Sequence, residues 1–136
     1  MTRFLVLATA LFLTALTAPA TAAPENAVRG ALPGNWLQIS VTKSDGRSSD
    51  MRGTLLLCND VPQGHARAAE ACAQLREARG DIRSIPAQEV LCTLEYAPVT
   101  AEAHGQWNGR SVRYEKTFGN KCEMGAQTGA VFALDR

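Results

Sequence analysis

Four cysteines, Cys58, Cys72, Cys92 and Cys122, constrain this chain more than any other feature. They follow an N-terminal segment with the marks of export. Arg3 precedes the apolar run from Phe4 to Leu16, and the small residues Ala18-Pro19-Ala20-Thr21-Ala22-Ala23 come next. A basic start, a short apolar stretch and an A-x-A site describe a secretory signal peptide. Its apolar run, about 13 residues, falls short of the ~20 that span a bilayer. Cleavage is expected after Ala22, with Ala20 as the alternative, leaving residues 1–22 as leader and residues 23–136 as one secreted domain. An even number of cysteines in an exported chain implies two disulfides. Four cysteines allow three pairings, of which Cys58 with Cys72 and Cys92 with Cys122 is the simplest.

Charge narrows the partners. Of 14 Lys and Arg, removal of Arg3 leaves 13 against 13 Asp and Glu, so the secreted domain is close to neutral. No basic stripe for nucleic acid and no polybasic patch for lipid is expected.

Hydrophobic periodicity then places the elements. Residues 23–35 are rich in Ala, Pro and Gly and read as a loose arm. From Trp36 to Lys43 the residues alternate, with Leu37, Ile39 and Val41 on one side and Gln38, Ser40 and Thr42 on the other, as in a half-buried strand. Residues 44–50 read as a polar loop, and Gly53–Cys58 as a second strand paired with the first. From His65 to Arg79 the period becomes helical: Ala68, Ala71, Cys72, Leu75 and Ala78 share a face, and Gly80 stands where a C-terminal cap belongs. A Cys58–Cys72 bond would staple this helix to the sheet, closing a loop of about 15 residues for roughly 3 kcal/mol in the chain-entropy model. Asn108-Gly109 between the runs 101–107 and 111–118 is a strong hairpin signal. Ala130–Leu134 reads as a short closing strand. Strands clustered in sequence around one good helix argue an α+β fold.

Catalytic constellations are missing from the pattern. His65 and His104 are far apart, with no cysteine or carboxylate at metal-ligand spacing, so neither a metal nor another cofactor is expected. Neither G-x-S-x-G, nor a phosphate-binding glycine loop, nor H-E-x-x-H occurs. The cysteines are committed to bridges, which removes Cys/His nucleophilic chemistry. The chain is not expected to be an enzyme.

The stretch Val90-Leu91-Cys92-Thr93-Leu94-Glu95-Tyr96-Ala97-Pro98-Val99 carries the functional question. As a buried strand it is interrupted by Glu95 and by Pro98, which cannot donate to a ladder. As an exposed loop, Leu94 and Tyr96 ask for a partner to bury them. A bridge at Cys92 and the stiff Pro98 would pin the two ends, leaving an extended segment of the kind a protease accepts as substrate. Pattern alone leaves two readings open, this loop and an edge strand with an incidental disulfide.

Several stretches together point to a family. They are Gly64-His65-Ala66, Ala71-Cys72-Ala73-Gln74-Leu75, Gly80-Asp81-Ile82, Cys92 to Val99, Gly105-Gln106-Trp107-Asn108-Gly109-Arg110, Tyr114-Glu115-Lys116-Thr117-Phe118, Asn120-Lys121-Cys122-Glu123-Met124 and Val131-Phe132-Ala133. With them the chain, from about Leu37 onward, resembles the Streptomyces subtilisin inhibitor family. The resemblance implies a secreted inhibitor of subtilisin-like and chymotrypsin-like serine proteases, usually a homodimer. It implies a five-stranded antiparallel sheet with two helices, one long and one short, on one face, and two disulfides. It also places the reactive bond at Leu94–Glu95, so that Leu94 is the P1 residue that enters the protease's S1 pocket. Cys92, Thr93, Tyr96, Ala97 and Pro98 become the protease-contacting loop, Cys92 pairs with Cys122, and Asn120 supports the loop from beneath. Two positions depart from the pattern: Thr93, where some members carry proline, and Ala97, where a carboxylate is common. The competing class is a secreted, non-inhibitory module that presents Trp36, Trp107 and Tyr114 to a peptide or glycan.

Overall fold

The computed structural model describes Leu32 and residues 34–135. The leader over 1–22 and nearly all of the expected arm lie outside the described residues.

Alternation builds the sheet as expected along most of its length. Strands β1 (Trp36–Ser44), β2 (Ser49–Leu57), β3 (Val99–Trp107) and β4 (Arg110–Phe118) form one antiparallel sheet in the order β2-β1-β3-β4. Leu37, Ile39 and Val41 of β1 are buried, with Leu56 of β2 and Val99, Ala101 and Ala103 of β3 on the same face. Tyr114 and Phe118 of β4 complete it, and the Tyr114 ring packs 5.7 Å from that of Phe132. The β3–β4 turn is Asn108-Gly109, both at positive φ, 47° and 76°, as a two-residue hairpin requires.

Strand β2 starts earlier than its hydrophobicity indicates. The loop expected over 44–50 closes as a tight turn, because the Asp45 carboxylate accepts the backbone N–H groups of Arg47 (2.9 Å) and Ser48 (2.6 Å). Pairing therefore begins at Ser44 and Ser49, and Ser49–Gly53 extend β2 as an exposed end.

Two helices pack on the apolar face of the sheet. Helix α1 (Ala68–Glu77) buries Ala68, Ala71, Cys72 and Leu75. It begins three residues later than the periodicity indicates. At its C-terminus Gly80 N–H reaches Leu75 C=O (2.8 Å) and Arg79 N–H reaches Arg76 C=O (3.2 Å), the paired bonds of a Schellman cap. Gly80 takes φ +82° beneath Trp107, where a Cβ would lie 2.3 Å from the ring. Helix α2 (Lys121–Thr128) is shorter and buries Met124 and Thr128. A single turn of 3₁₀ helix, Ile82–Ser84, leads away from α1.

The sheet has four strands, not five. Ala130–Leu134, expected as the closing strand, runs as turns after Gly129. Ala130 N–H donates to Gln74 Oε1 (2.7 Å), and Val131 and Ala133 bond back to Thr128 and Ala130. Ala130, Val131 and Phe132 are buried consecutively. A strand would send every second one of them outward, whereas a curled segment sinks all three into the core.

Both disulfides take the near-neighbour pairing. Cys58–Cys72 joins the end of β2 to α1, and Cys92–Cys122 joins the long segment before β3 to α2.

Candidate functional site

The segment from Gly119 to Ala126 is the base of the site. Asn120 caps α2: its Oδ1 accepts Glu123 N–H at 3.0 Å from an extended backbone. The Glu123 carboxylate answers by accepting Gly119 N–H at 3.0 Å, a reciprocal arrangement close to a capping box. A carboxylate in the first turn also suits the positive end of the helix dipole. Asn120 is thereby only 7% exposed, with its rotamer set by the helix.

Its remaining donor group reaches the loop. Asn120 Nδ2 donates to the carbonyl of Thr93 (3.2 Å) and to that of Glu95 (3.1 Å). The –NH₂ group has two hydrogens, so one side chain can hold both carbonyls. These two residues flank Leu94, whose side chain stands 101% exposed. Cys92 is bonded to Cys122 one step before Thr93, and Ala97 N–H donates to Gly119 C=O (2.9 Å) two steps after Glu95. Farther upstream Gln88 N–H donates to Ala126 C=O (2.8 Å). Residues 88–97 form no ladder, yet they are tied at five points to one short stretch of chain. The alternative of an edge strand is thus removed: β3 begins only at Val99, after Pro98.

Each residue singled out in the sequence has a definite place here. Thr93, Glu95, Tyr96 and Ala97 are exposed, Cys92 and Pro98 half-buried, and Tyr96 is 81% exposed on the C-terminal side of Leu94. A cavity of about 760 Å³ opens beside that side, between Tyr96-Ala97-Pro98 and the β1–β2 turn, with Lys43 and Lys121 on its wall. Burial first, and then the neighbouring Lys43 ammonium, push the Lys121 pKa below its usual value, although Lys121 also pairs with Asp135. Leu91 escaped the sequence reading. It is 104% exposed three residues before Leu94, a second apolar side chain on the same loop. The roles of Gly119, Glu123 and Ala126 were also missed; only Asn120-x-x-Glu123 carries a signal, that of a helix N-terminus.

The aromatic surface expected of a non-inhibitory module is not there. Trp107 and Tyr114 are buried, Trp107 over Gly80 and Tyr114 against Phe132, and Trp36 is half-buried. His65 and His104 do not meet: His65 is half-buried and accepts Arg67 N–H, while His104 is exposed on the outer face of β3. Among the described residues no three His, Cys, Asp or Glu side chains are grouped to hold a metal.

The model of the subtilisin inhibitor-like family matches residues 34–120. The chain belongs to that family. It is 53% identical over 117 residues to a Streptomyces avermitilis protein named "Putative serine protease inhibitor", covering 86% of this chain and 76% of that protein. It is 38% identical over 121 residues to a Streptomyces coelicolor subtilase-type protease inhibitor, covering 88% and 82%. Among solved structures it resembles Streptomyces caespitosus sermetstatin, seen in complex with Bacillus licheniformis subtilisin. The TM-score is 0.52 at 28% identity, over 73% of this chain and 99% of that one. The family and these relatives are protease inhibitors, and a subtilisin inhibitor-like chain is not an enzyme.

Proposed function

We propose that this chain is a secreted, substrate-like inhibitor of serine endopeptidases of the subtilisin type, and also of the chymotrypsin type, with Leu94–Glu95 as its reactive bond. One observation carries the reading: a fully exposed Leu94 stands between two carbonyls held by the same buried side chain, Asn120. A loop already in its bound shape loses little conformational entropy on binding, so more of the contact energy is realised as affinity. Leu94 is the P1 anchor and fills an apolar S1 pocket, while it offers no cation to an acidic one. Trypsin is therefore a poor target. Leu91 adds an apolar contact on the N-terminal side, Tyr96 one on the other. Interfaces of this class bury only about 800 Å² per partner yet include some of the tightest known.

If the protease cleaves Leu94–Glu95, the new amine stays beside the acyl-enzyme because Glu95 and Ala97 are still tied to Asn120 and Gly119. Religation then competes with hydrolysis, by the same proximity that favours any intramolecular step. A homodimer is proposed as the secreted form, and analytical ultracentrifugation decides it.

The test is titration of residues 23–136 against subtilisin, chymotrypsin and trypsin, with mass spectrometry of the inhibitor after incubation. Stoichiometric inhibition of the first two, with at most a single nick at Leu94–Glu95, is expected. Weak inhibition of all three, or degradation at many sites, overturns the proposal.

A further inference from the structure

Far from the reactive loop, four of the chain's 14 basic residues converge on one cavity. Arg79, Arg83, Arg110 and Arg113 line a space of about 280 Å³ floored by Trp107. Asp81 is the one carboxylate on its wall, and its oxygens are already engaged by Arg83 N–H (3.0 Å) and Ser84 Oγ (3.0 Å). Its contact with the Arg83 guanidinium is long, 4.0 Å. In a chain whose net charge is only +1, this is a marked local excess of cation.

Two of the guanidinium groups, those of Arg83 and Arg110, are oriented by carbonyl bonds, and among the described residues the only carboxylate paired with either is Asp81, 4.0 Å from Arg83. Arg110 Nη2 donates to Arg79 C=O (3.2 Å), Arg83 Nη1 donates to Arg113 C=O (3.4 Å), and Arg83 lies 5.2 Å above the Tyr114 ring. A carbonyl partner fixes the fork and leaves its charge and most of its five donors available. The C-terminal dipole of α1 explains one cation at this end, not four. Arg79 adds a second observation. It occupies φ +56°, a conformation that costs a non-glycine residue about 1 kcal/mol and that glycine takes freely at a helix end.

We propose that this cavity binds the phosphate groups of an extended polyanion, inorganic polyphosphate being the simplest example. Arginine forks match phosphate oxygens two at a time, which suits a cavity lined by several arginines better than a single carboxylate ligand. The site is independent of the inhibitory reading. Trp107 is eight residue steps along β3 from Val99, about 26 Å at the rise of a strand, and Arg113 is five steps along β4 from Phe118, about 17 Å, so the cavity does not overlap the loop.

The experiment measures binding of inorganic polyphosphate, and separately of orthophosphate, to the secreted domain by calorimetry over a range of salt. Polyphosphate binding that steepens with falling salt is expected. The double variant Arg110→Gln, Arg113→Gln should bind at least about tenfold more weakly, with a salt slope shallower by about 1.4 from two lost phosphate contacts. Arg79→Gly, which relieves the positive φ, should melt no lower than the parent and still bind polyphosphate more weakly. All three forms should inhibit subtilisin alike. Orthophosphate binding as tight as that of the polymer assigns the site to free phosphate instead. Absence of binding to either, equal affinity in the double variant, or displacement of polyphosphate by subtilisin overturns the proposal.

Discussion

Replacing Asn120 with serine separates the two tasks of that side chain. Serine keeps an oxygen at the N-cap, where it ranks beside asparagine, so α2 should lose little. It cannot reach the loop, and the bonds to Thr93 and Glu95 at 3.2 and 3.1 Å disappear. Both carbonyls belong to exposed residues, so water takes the place of Asn120. The cost in folding stability therefore stays at or below about 1 kcal/mol. The cost in binding is larger. Fixing one residue's backbone costs about 1–2 kcal/mol, and the Cys92–Cys122 bridge still restrains one of the three residues 93–95. Re-ordering the other two raises the inhibition constant for subtilisin by roughly 30- to 900-fold, equivalent to about 2–4 kcal/mol. Progress-curve kinetics gives that constant, and mass spectrometry gives the rate at which the Leu94–Glu95 nick accumulates, which should rise with it. Urea unfolding of the same variant checks that the fold is intact. An inhibition constant unchanged from the parent, in a protein of unchanged stability, refutes the reasoning. It would mean that the disulfide and the Ala97–Gly119 bond order the loop without Asn120.

Leu94→Lys should move inhibition from subtilisin and chymotrypsin toward trypsin, since it adds a cation for an acidic S1 pocket; an unchanged panel profile means another residue is P1. Replacing both Cys92 and Cys122 by serine opens a loop of about 31 residues and should lower unfolding free energy by up to about 3.7 kcal/mol, read from the urea midpoint, while weakening inhibition more than the Cys58, Cys72 double variant does. Gly80→Ala places a Cβ 2.3 Å from the Trp107 ring at φ +82°, so a loss of roughly 2–4 kcal/mol is expected in the same assay. Burial holds the His65 pKa below its ordinary value, and its Nδ1 accepts Arg67 N–H at 3.2 Å. The unfolded chain then takes up the proton first. This stability is fully present above about pH 6.5 and is lost as pH falls toward the lower folded pKa. Urea midpoints at neutral and mildly acid pH should show a drop that His65→Gln lacks.

Most of the sheet was legible because one of its faces is dry and the other wet. Leu37, Ile39 and Val41 against Gln38, Ser40 and Thr42 leave one register only, and Asn108-Gly109 fixes the β3–β4 hairpin. Legibility failed where burial stops alternating. Ser49–Gly53 are exposed on both sides, so their pairing follows from the Asp45 turn rather than from hydrophobicity. Ala130–Phe132 are buried on all sides, and a continuous apolar run does not distinguish a strand from a curled plug. The site divides in the same way. Leu94 between a cysteine and a proline is a side-chain pattern and can be read. The carbonyls of Gly119 and Ala126, which tie down the loop, have no signature, because every residue carries one.

That division bears on how the proposed inhibitor can be cut without being consumed. Its proposed reactive bond lies between Leu94 and Glu95, and the ties on the two sides converge on one support. Upstream, Cys92 is bonded to Cys122 and Thr93 is held by Asn120; downstream, Glu95 is held by Asn120 and Ala97 by Gly119. Residues 119–122 thus hold both ends that a cut would make. A loop anchored upstream to one element and downstream to another could bind equally well and still separate after cleavage, as the two elements breathed apart. Here the separation of the new ends is limited by the span of a single asparagine side chain, itself fixed by the first turn of α2. In the proposed mechanism the helix cap is therefore the feature on which retention of the cleaved form turns, and the Thr93 and Ala97 departures from the family pattern matter less. Neither side chain makes one of these ties; the backbone carbonyl of Thr93 and the backbone N–H of Ala97 do.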